Sequence, residues 1–407
     1  MTWLVPYADL TTDQMRAVEA SPDQHRLIVG APGSGKTLVL LHRAARLQKF
    51  YNIQQDRFRI FVYTNVLKRF IQAGCEDLGI PLECVSTYDH WCKEYFETYI
   101  DRRLPWDSEN KQPKFDEIRA RVADDVRKHK RRLYDFVMVD EAQDLDTNAF
   151  EVFRTIAAHV TAAADRKQQL YEHGTDEDSI AVRLGLGRRN HSLLEAFRCS
   201  PYIVALASVF LSDAEERSVW RVQTRTDIGE RETPVLLIAR DLEEERRRLV
   251  DAVRERLLKG ERIAILLPTA RQVHGFRKAL EEFGLDAEVQ GRGEVLDFTS
   301  TRPKLLTYHS AKGLTFDSVL LPRLVTGSFR GRDESLSLRM MFVAVTRAVR
   351  WVYMSAEAGK EPPFLARVRA LAPSGELTLR DASERPRTPS APEERHAPSP
   401  GGLDDLF

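Results

Sequence analysis

Residues 30–37 read Gly-Ala-Pro-Gly-Ser-Gly-Lys-Thr, the spacing G-x-x-x-x-G-K-T. Residues of these types at these positions bind polyphosphate. The glycines, with Gly30, Ala31, Pro32, Gly33, Ser34 and Gly35 forming the wrap, let successive backbone N–H groups converge on phosphate oxygens. Lys36 adds positive charge at the β and γ phosphates, and the Thr37 hydroxyl is a ligand for Mg2+. A second string, FVMVDEAQDL at 136–145, closes an apolar run with Asp140 and Glu141. Asp140 at a strand end can hold Mg2+ directly or through water, and Glu141 can polarise an attacking water. Together these are the parts of phosphoryl transfer, where the protein positions groups and neutralises charge. Gln143 follows two residues later with a donor arm and an acceptor arm, and Asp144 adds a third acid.

This chemistry requires a strand ahead of the glycine loop and a helix behind it. Residues 26–30, RLIVG, read as a short buried strand, and 36–50 carry helical periodicity. Further strands are expected at 59–64, 134–140 and 159–164, with helices between them. After about residue 230 the pattern restarts with a strand at 234–240 and an amphipathic helix at 241–260 closed by Gly260. A strand RIAILLP, a helix at 270–283, strands at 304–309 and 318–322, a helix near 335–349 and a strand WVYMSA follow. Strands alternating with helices predict α/β domains with parallel sheets covered on both faces.

The 407 residues have a formal net charge of zero, so no global positive field marks a nucleic-acid binder, although a local groove can be basic on a neutral protein. The four cysteines, Cys75, Cys84, Cys92 and Cys199, form no C-x-x-C pair and read as free thiols of a reducing compartment. No apolar run approaches the ~20 residues of a membrane helix. The N-terminus MTWLVPYADL lacks the pattern of a signal peptide. A cytoplasmic, bacterial protein is expected. Residues 382–402, rich in Pro, Ser, Arg and Glu, are too poor in apolar residues to repay the entropy of ordering.

The ordered motif set resembles the UvrD/Rep-type superfamily 1 DNA helicases from about residue 10 to 356. DEAQD resembles their Walker B string, HSAKG their motif V and VAVTRA their motif VI. The resemblance implies two RecA-like P-loop domains with an ATP cleft between them: a first domain over 1–200, a second over 201–380, and a disordered tail over 381–407. It implies that Gln14 in LTTDQMRAV reads the adenine, and that Phe197 lies against its ring. Gln168 would sense the γ-phosphate. Arg198 and Arg347 would contact it as arginine fingers, suited by their fixed charge and forked shape. Gly313 would lie near the nucleotide. Tyr63, Asn65, Thr87, Tyr171, Thr307, His309 and Lys312 would touch single-stranded DNA. Gln143 would report phosphate state between the domains. The function implied is a single-stranded-DNA-stimulated ATPase moving 3′→5′; a nucleotide-gated nucleic-acid clamp and an RNA-directed motor are the alternatives.

The sequence departs from that family in several places. Leu38, Ala164, Ala196 and Cys199 replace its usual residues, His173 stands where an aromatic platform is expected, and Thr315 replaces a ribose-binding glutamate. The accessory inserts are reduced to 92–133 and 290–304, which predicts weak unwinding without a partner. The basic run RKHKRRL at 127–133 is a candidate phosphate contact or a solvated helix end. The terminal GGLDDLF resembles sliding-clamp-binding peptides, which makes Leu403–Phe407 a candidate docking segment for a replication protein.

Overall fold

The computed structural model describes residues 3–31, 33–165, 176–187, 191–194, 200–222, 232–289 and 296–382. The chain opens with α1 (Thr12–Glu19), β1 (Arg26–Gly30), α2 (Lys36–Phe50), β2 (Phe58–Val62), α3 (Asn65–Leu78) and β3 (Val85–Thr87). Then come α4 (Tyr88–Tyr99), a small antiparallel ribbon of β4 (Trp106–Asp107) and β5 (Gln112–Pro113), and α5 (Phe115–His129). β6 (Tyr134–Val139), α6 (Thr147–Ile156), β7 (Ala157–Asp165), α7 (Glu177–Leu184) and β8 (His191–Leu194) complete the first half. The large sheet has the order β3-β2-β6-β7-β1-β8, and every pairing in it is parallel.

Helices α8 (Pro201–Ser208) and α9 (Ala214–Val222) lead into the second half. There β9 (Val235–Ala239), α10 (Leu242–Leu258), β10 (Ile263–Leu267), α11 (Ala270–Glu282), β11 (Glu288–Val289) and β12 (Lys304–Thr307) are followed by β13 (Phe316–Leu321). The chain continues through α12 (Glu334–Val345), β14 (Ala348–Glu357), α13 (Leu365–Arg369) and β15 (Thr378–Asp381). This sheet has the order β11-β12-β10-β13-β14-β9-β15 and is also parallel throughout. The fold is α/β, with two RecA-like halves.

Local chemistry accounts for the element ends. β10 is buried at all five positions, the unbroken apolar run of a strand covered on both faces. Thr64 caps α3 by accepting from Leu67 N, and Gly79 closes it in the left-handed conformation. Asp241 and Asp333 cap α10 and α12 in the same way through Glu244 N and Leu336 N. The shortened interval 92–133 forms no separate lobe: α4 and α5 pack on each other, and α5 on α6.

One apolar cluster passes from Ile28 and Leu38 through Leu67 and Phe70 to Leu314, Phe316 and Leu338, so a shared core joins the halves. Trp3 stacks on Phe70 at 4.4 Å, and Phe70 meets Phe298 edge-on at 5.3 Å. β15 runs through Asp381, and Ala382 N donates to Ile238 O at 2.9 Å, so ordered backbone continues just past the expected start of the tail at 381. The rest of the tail, with Leu403–Phe407, lies outside the described residues. Cys75, Cys84 and Cys92 are buried and free; Cys199 lies outside the described residues. Among the described residues no helix is long and apolar enough to cross a membrane.

Candidate nucleotide site at the domain junction

The loop after β1 takes the shape its glycines permit. Gly33 and Gly35 have φ of 80° and 83°, the left-handed region that costs other residues a steric clash. Ser34 N donates to Ala31 O at 3.1 Å, and α2 starts at Lys36, so its free N–H groups face the mouth of the loop. Ser34 Oγ is buried and has no hydrogen-bond partner among the described residues. A polyphosphate would satisfy that orphan. Lys36 Nζ donates to the carbonyls of Gly30 and Ala31 at 3.0 and 3.1 Å, so the cation lies folded over the cradle it would serve.

Gln14 holds this loop from behind. Its Oε1 accepts from Thr11 N at 3.0 Å, completing a capping box on α1, and its Nε2 donates to Ser34 O at 2.9 Å. Both arms of the amide are engaged with backbone. Gln14 was expected at the adenine; here it is buried against the phosphate loop.

Thr37 Oγ1 donates to Asp140 Oδ2 at 2.7 Å, tying the helix start to the end of β6. Burial and the neighbouring Glu141 push the Asp140 carboxyl up, while Thr37 and Lys36 hold it down. These oxygen donors fit Mg2+, which keeps several waters and takes most of its remaining ligands from substrate phosphates. Among the described residues no group of three His, Cys, Asp or Glu could hold a metal unaided. Thr37 and Asp140 would hold the ion, which would neutralise phosphate charge.

Glu141 is buried and has φ 49°, ψ 43°, a left-handed conformation that is strained for a non-glycine residue and recurs at functional sites. Its Oε2 accepts from Gln143 Nε2 at 2.5 Å. On its other side is the second half of the chain. A Cβ added to Gly313 (φ 77°) would stand 3.3 Å from Glu141 Oε1 and 3.0 Å from the Leu67 methyls. A side chain here would strain the backbone and make Leu67 and Glu141 give way. Next to it, Lys312 Nζ bonds Asp144 Oδ1 at 2.6 Å, with both side chains almost fully buried.

Arg347 follows α12 and is buried; it donates to Val343 O at 3.0 Å and to Leu314 O at 3.4 Å. It thus holds the backbone one residue beyond Gly313. Ser200 N donates to Val349 O at 3.0 Å, so the chain two residues after Arg198 is tied two residues after Arg347. Arg198, Phe197, Gln168, Tyr171 and Pro32 lie outside the described residues.

The expected DNA-contact residues divide. Tyr63 is half-buried beside Tyr88, Asp89, Arg119 and Asp144, in a cavity of about 350 Å³. Burial first, then Asp144 and Asp89, push its hydroxyl up to about 12, so it stays protonated and can donate. Asn65 is exposed at the first turn of α3, and His309 is exposed. Thr307 accepts from Ser310 N at 3.1 Å. Two residues are used otherwise in this structure. Thr87 is buried and caps α4 through His90 N at 3.3 Å, and Lys312 is sealed in its ion pair with Asp144. A free strand would reach neither side chain. Asp144 was legible in the sequence only as a third acid in DEAQD.

The fold and site define a P-loop nucleotide-binding protein. A family model described as AAA domain matches residues 14–173, which span α1, the glycine loop and the acid pair. No curated protein matches the chain. Among solved structures, the C-terminal domain of a possible DNA helicase from Lactobacillus plantarum WCFS1 is similar over 45% of this chain and 98% of that one, at 18% identity and a TM-score of 0.35.

Proposed function

We propose that the protein is an ATP-driven nucleic-acid motor: a compact, UvrD-like translocase moving 3′→5′ on single-stranded DNA, in DNA repair, replication or genome defence. The observation that carries this reading is the close approach of Gly313 to Glu141. With Glu141 beside the second half of the chain, this approach supports a hydrolytic role for its carboxylate in which a change at the γ-phosphate has a direct mechanical outlet. Lys36 leaves the Gly30 and Ala31 carbonyls for the phosphates, and Glu141, held by Gln143, orients the attacking water. Arg347 and Arg198 approach the γ-phosphate from the other side, and Gln168 senses it. Tyr63, Asn65, Tyr171, Thr307 and His309 face the strand, which shifts as the cleft closes and opens. The ordered motifs from residue 10 to 356 support DNA as the track.

ATPase assays with and without single-stranded DNA or RNA, paired with displacement of streptavidin from a strand end, test this. Stimulation by DNA together with displacement is expected. Stimulation by neither polymer ends the motor reading. Stimulation by RNA alone makes the protein an RNA-directed enzyme, and stimulation without displacement makes it a clamp.

The short interval 92–133 supports weak unwinding by the lone protein, a reading that efficient separation of long duplexes would refute. The terminal Leu403–Phe407 supports docking on a sliding clamp, and unchanged clamp binding after deletion of Leu406 and Phe407 would end that idea.

A further inference from the structure

At the end of the first sheet opposite the nucleotide loop lies an open groove of about 870 Å³ between α5, α6 and α7. Its walls carry Arg127 and Lys130 from the end of α5, Arg132 just before β6, Arg154 near the end of α6 and Arg183 from α7. Two carboxylates share it. Glu151 pairs with Arg183, and Asp178 stands in the first turn of α7. Arg127 also pairs with Asp124 at 2.8 Å, which leaves two positive charges in excess on a chain whose formal net charge is zero.

The field extends past the rim. After burial, Arg154 and Arg132 are the next causes holding the nearby His25 below its ordinary value. Arg132 and Arg154 precede the starts of β6 and β7, whereas Gly30 ends β1 and Asp140 follows β6. β7 is nine residues long, which separates the two sites by roughly 30 Å at about 3.3 Å per residue.

We infer that this groove is a second nucleic-acid site that takes the phosphate backbone of duplex DNA, without reading sequence. The lining favours this occupant over others. Arginine forks and the hydroxyl of Thr147 are the donors that phosphates recruit. A single strand needs rings to stack its bases on, and among the described residues no aromatic side chain lines the groove. An acidic peptide would need apolar anchors, and among the described residues Val182 is the groove's one exposed large apolar side chain. The site rests on the motor reading only for why DNA is near; the binding itself does not depend on it.

The test uses the full chain, a blunt 20-base-pair hairpin without single-stranded ends, and fluorescence anisotropy across a salt series. Lys130→Gln with Arg154→Gln removes two exposed charges and leaves the nucleotide site untouched. Thermal melting confirms the fold, and Lys130→Arg with Arg154→Lys serves as the charge-retaining control. The expected result is weaker duplex binding, with a salt slope shallower by about 1.8, at about 0.9 per phosphate contact. The control should bind like the parent, and ATPase stimulation by oligo(dT) should not change. Equal duplex binding by the parent and the neutral variant overturns the inference. So does a loss seen only with a polyglutamate probe, which would make the groove a protein-docking site. If oligo(dT) stimulates neither protein while duplex binding still falls, the motor reading fails and the groove stands.

Discussion

Lys312 and Asp144 are 168 positions apart in sequence and form a 2.6 Å ion pair that joins the two halves of the molecule beside Glu141. Both side chains are almost completely withdrawn from water. Such a pair gains little net stability over an apolar one, but removing one partner strands the other charge at a cost of about 3–5 kcal/mol. Lys312→Met is therefore expected to lose stability on that scale, and the double variant Lys312→Met/Asp144→Leu to regain most of it. Denaturant unfolding of the four proteins gives the cycle; additive losses would show that the two residues act independently. The same cycle read in ATPase assays should show nucleic-acid stimulation lost before basal turnover, since the pair joins the halves and does not touch the phosphate loop.

Gly35 faces two demands at once. Its φ of 83° costs a non-glycine residue about 1–2 kcal/mol, and a Cβ there would lie 2.6 Å from Gln14 Nε2. Gly35→Ala should lower stability by more than the backbone term alone and abolish nucleotide binding. Adding Gln14→Ala removes the clash but not the strained backbone, so part of the stability should return and the affinity should not. Recovery of affinity in the double variant would mean that Gln14, and not the loop conformation, is what Gly35 protects.

Much of the frame was legible because long apolar runs and capped periodic helices carry their own signal. The helix expected at 36–50 is α2 with the same ends, and the runs at 134–140 and 159–164 lie on β6 and β7. β3, β8, β11 and β15 went unread because strands of two to four residues hold too little pattern to separate from loop. The parts of the site that follow from residue type, Lys36, Thr37, Asp140 and Glu141, were visible in two short strings. What was not visible depends on which side chain meets which across the junction. Nothing local in HSAKG says that its lysine turns inward to Asp144, or in TTDQ that its glutamine spends both amide arms on backbone.

Lys36 and Glu141 should separate binding from chemistry. Lys36 supplies charge to the phosphates, so Lys36→Ala is expected to remove measurable ATP binding. Glu141→Gln keeps the shape and the neighbour Gln143 but removes the carboxylate that orients water. Nucleotide should still bind while turnover falls by about 10²–10⁴-fold, the usual worth of a positioned general base. Fluorescent nucleotide titration and steady-state turnover on the two variants check this, and a Glu141→Gln protein that turns over normally would move the base elsewhere.

Asp140 predicts a proton signal. Burial and Glu141 raise its carboxyl to about 7 in the free protein, whereas a magnesium ligand must be ionised. Mg2+-nucleotide binding near neutral pH should therefore release protons, and affinity should climb as pH rises through about 7. Without nucleotide the sign for folding is the reverse. A carboxyl whose folded pKa is raised lends stability below its unfolded value, and that stability is lost as pH rises through the folded one. Calorimetric titration in two buffers of different ionisation enthalpy measures the released protons directly. Asp140→Asn should abolish the release and flatten the pH dependence of folding, because the amide holds no titrating proton. Proton release that survives in that variant would assign the titration to another group.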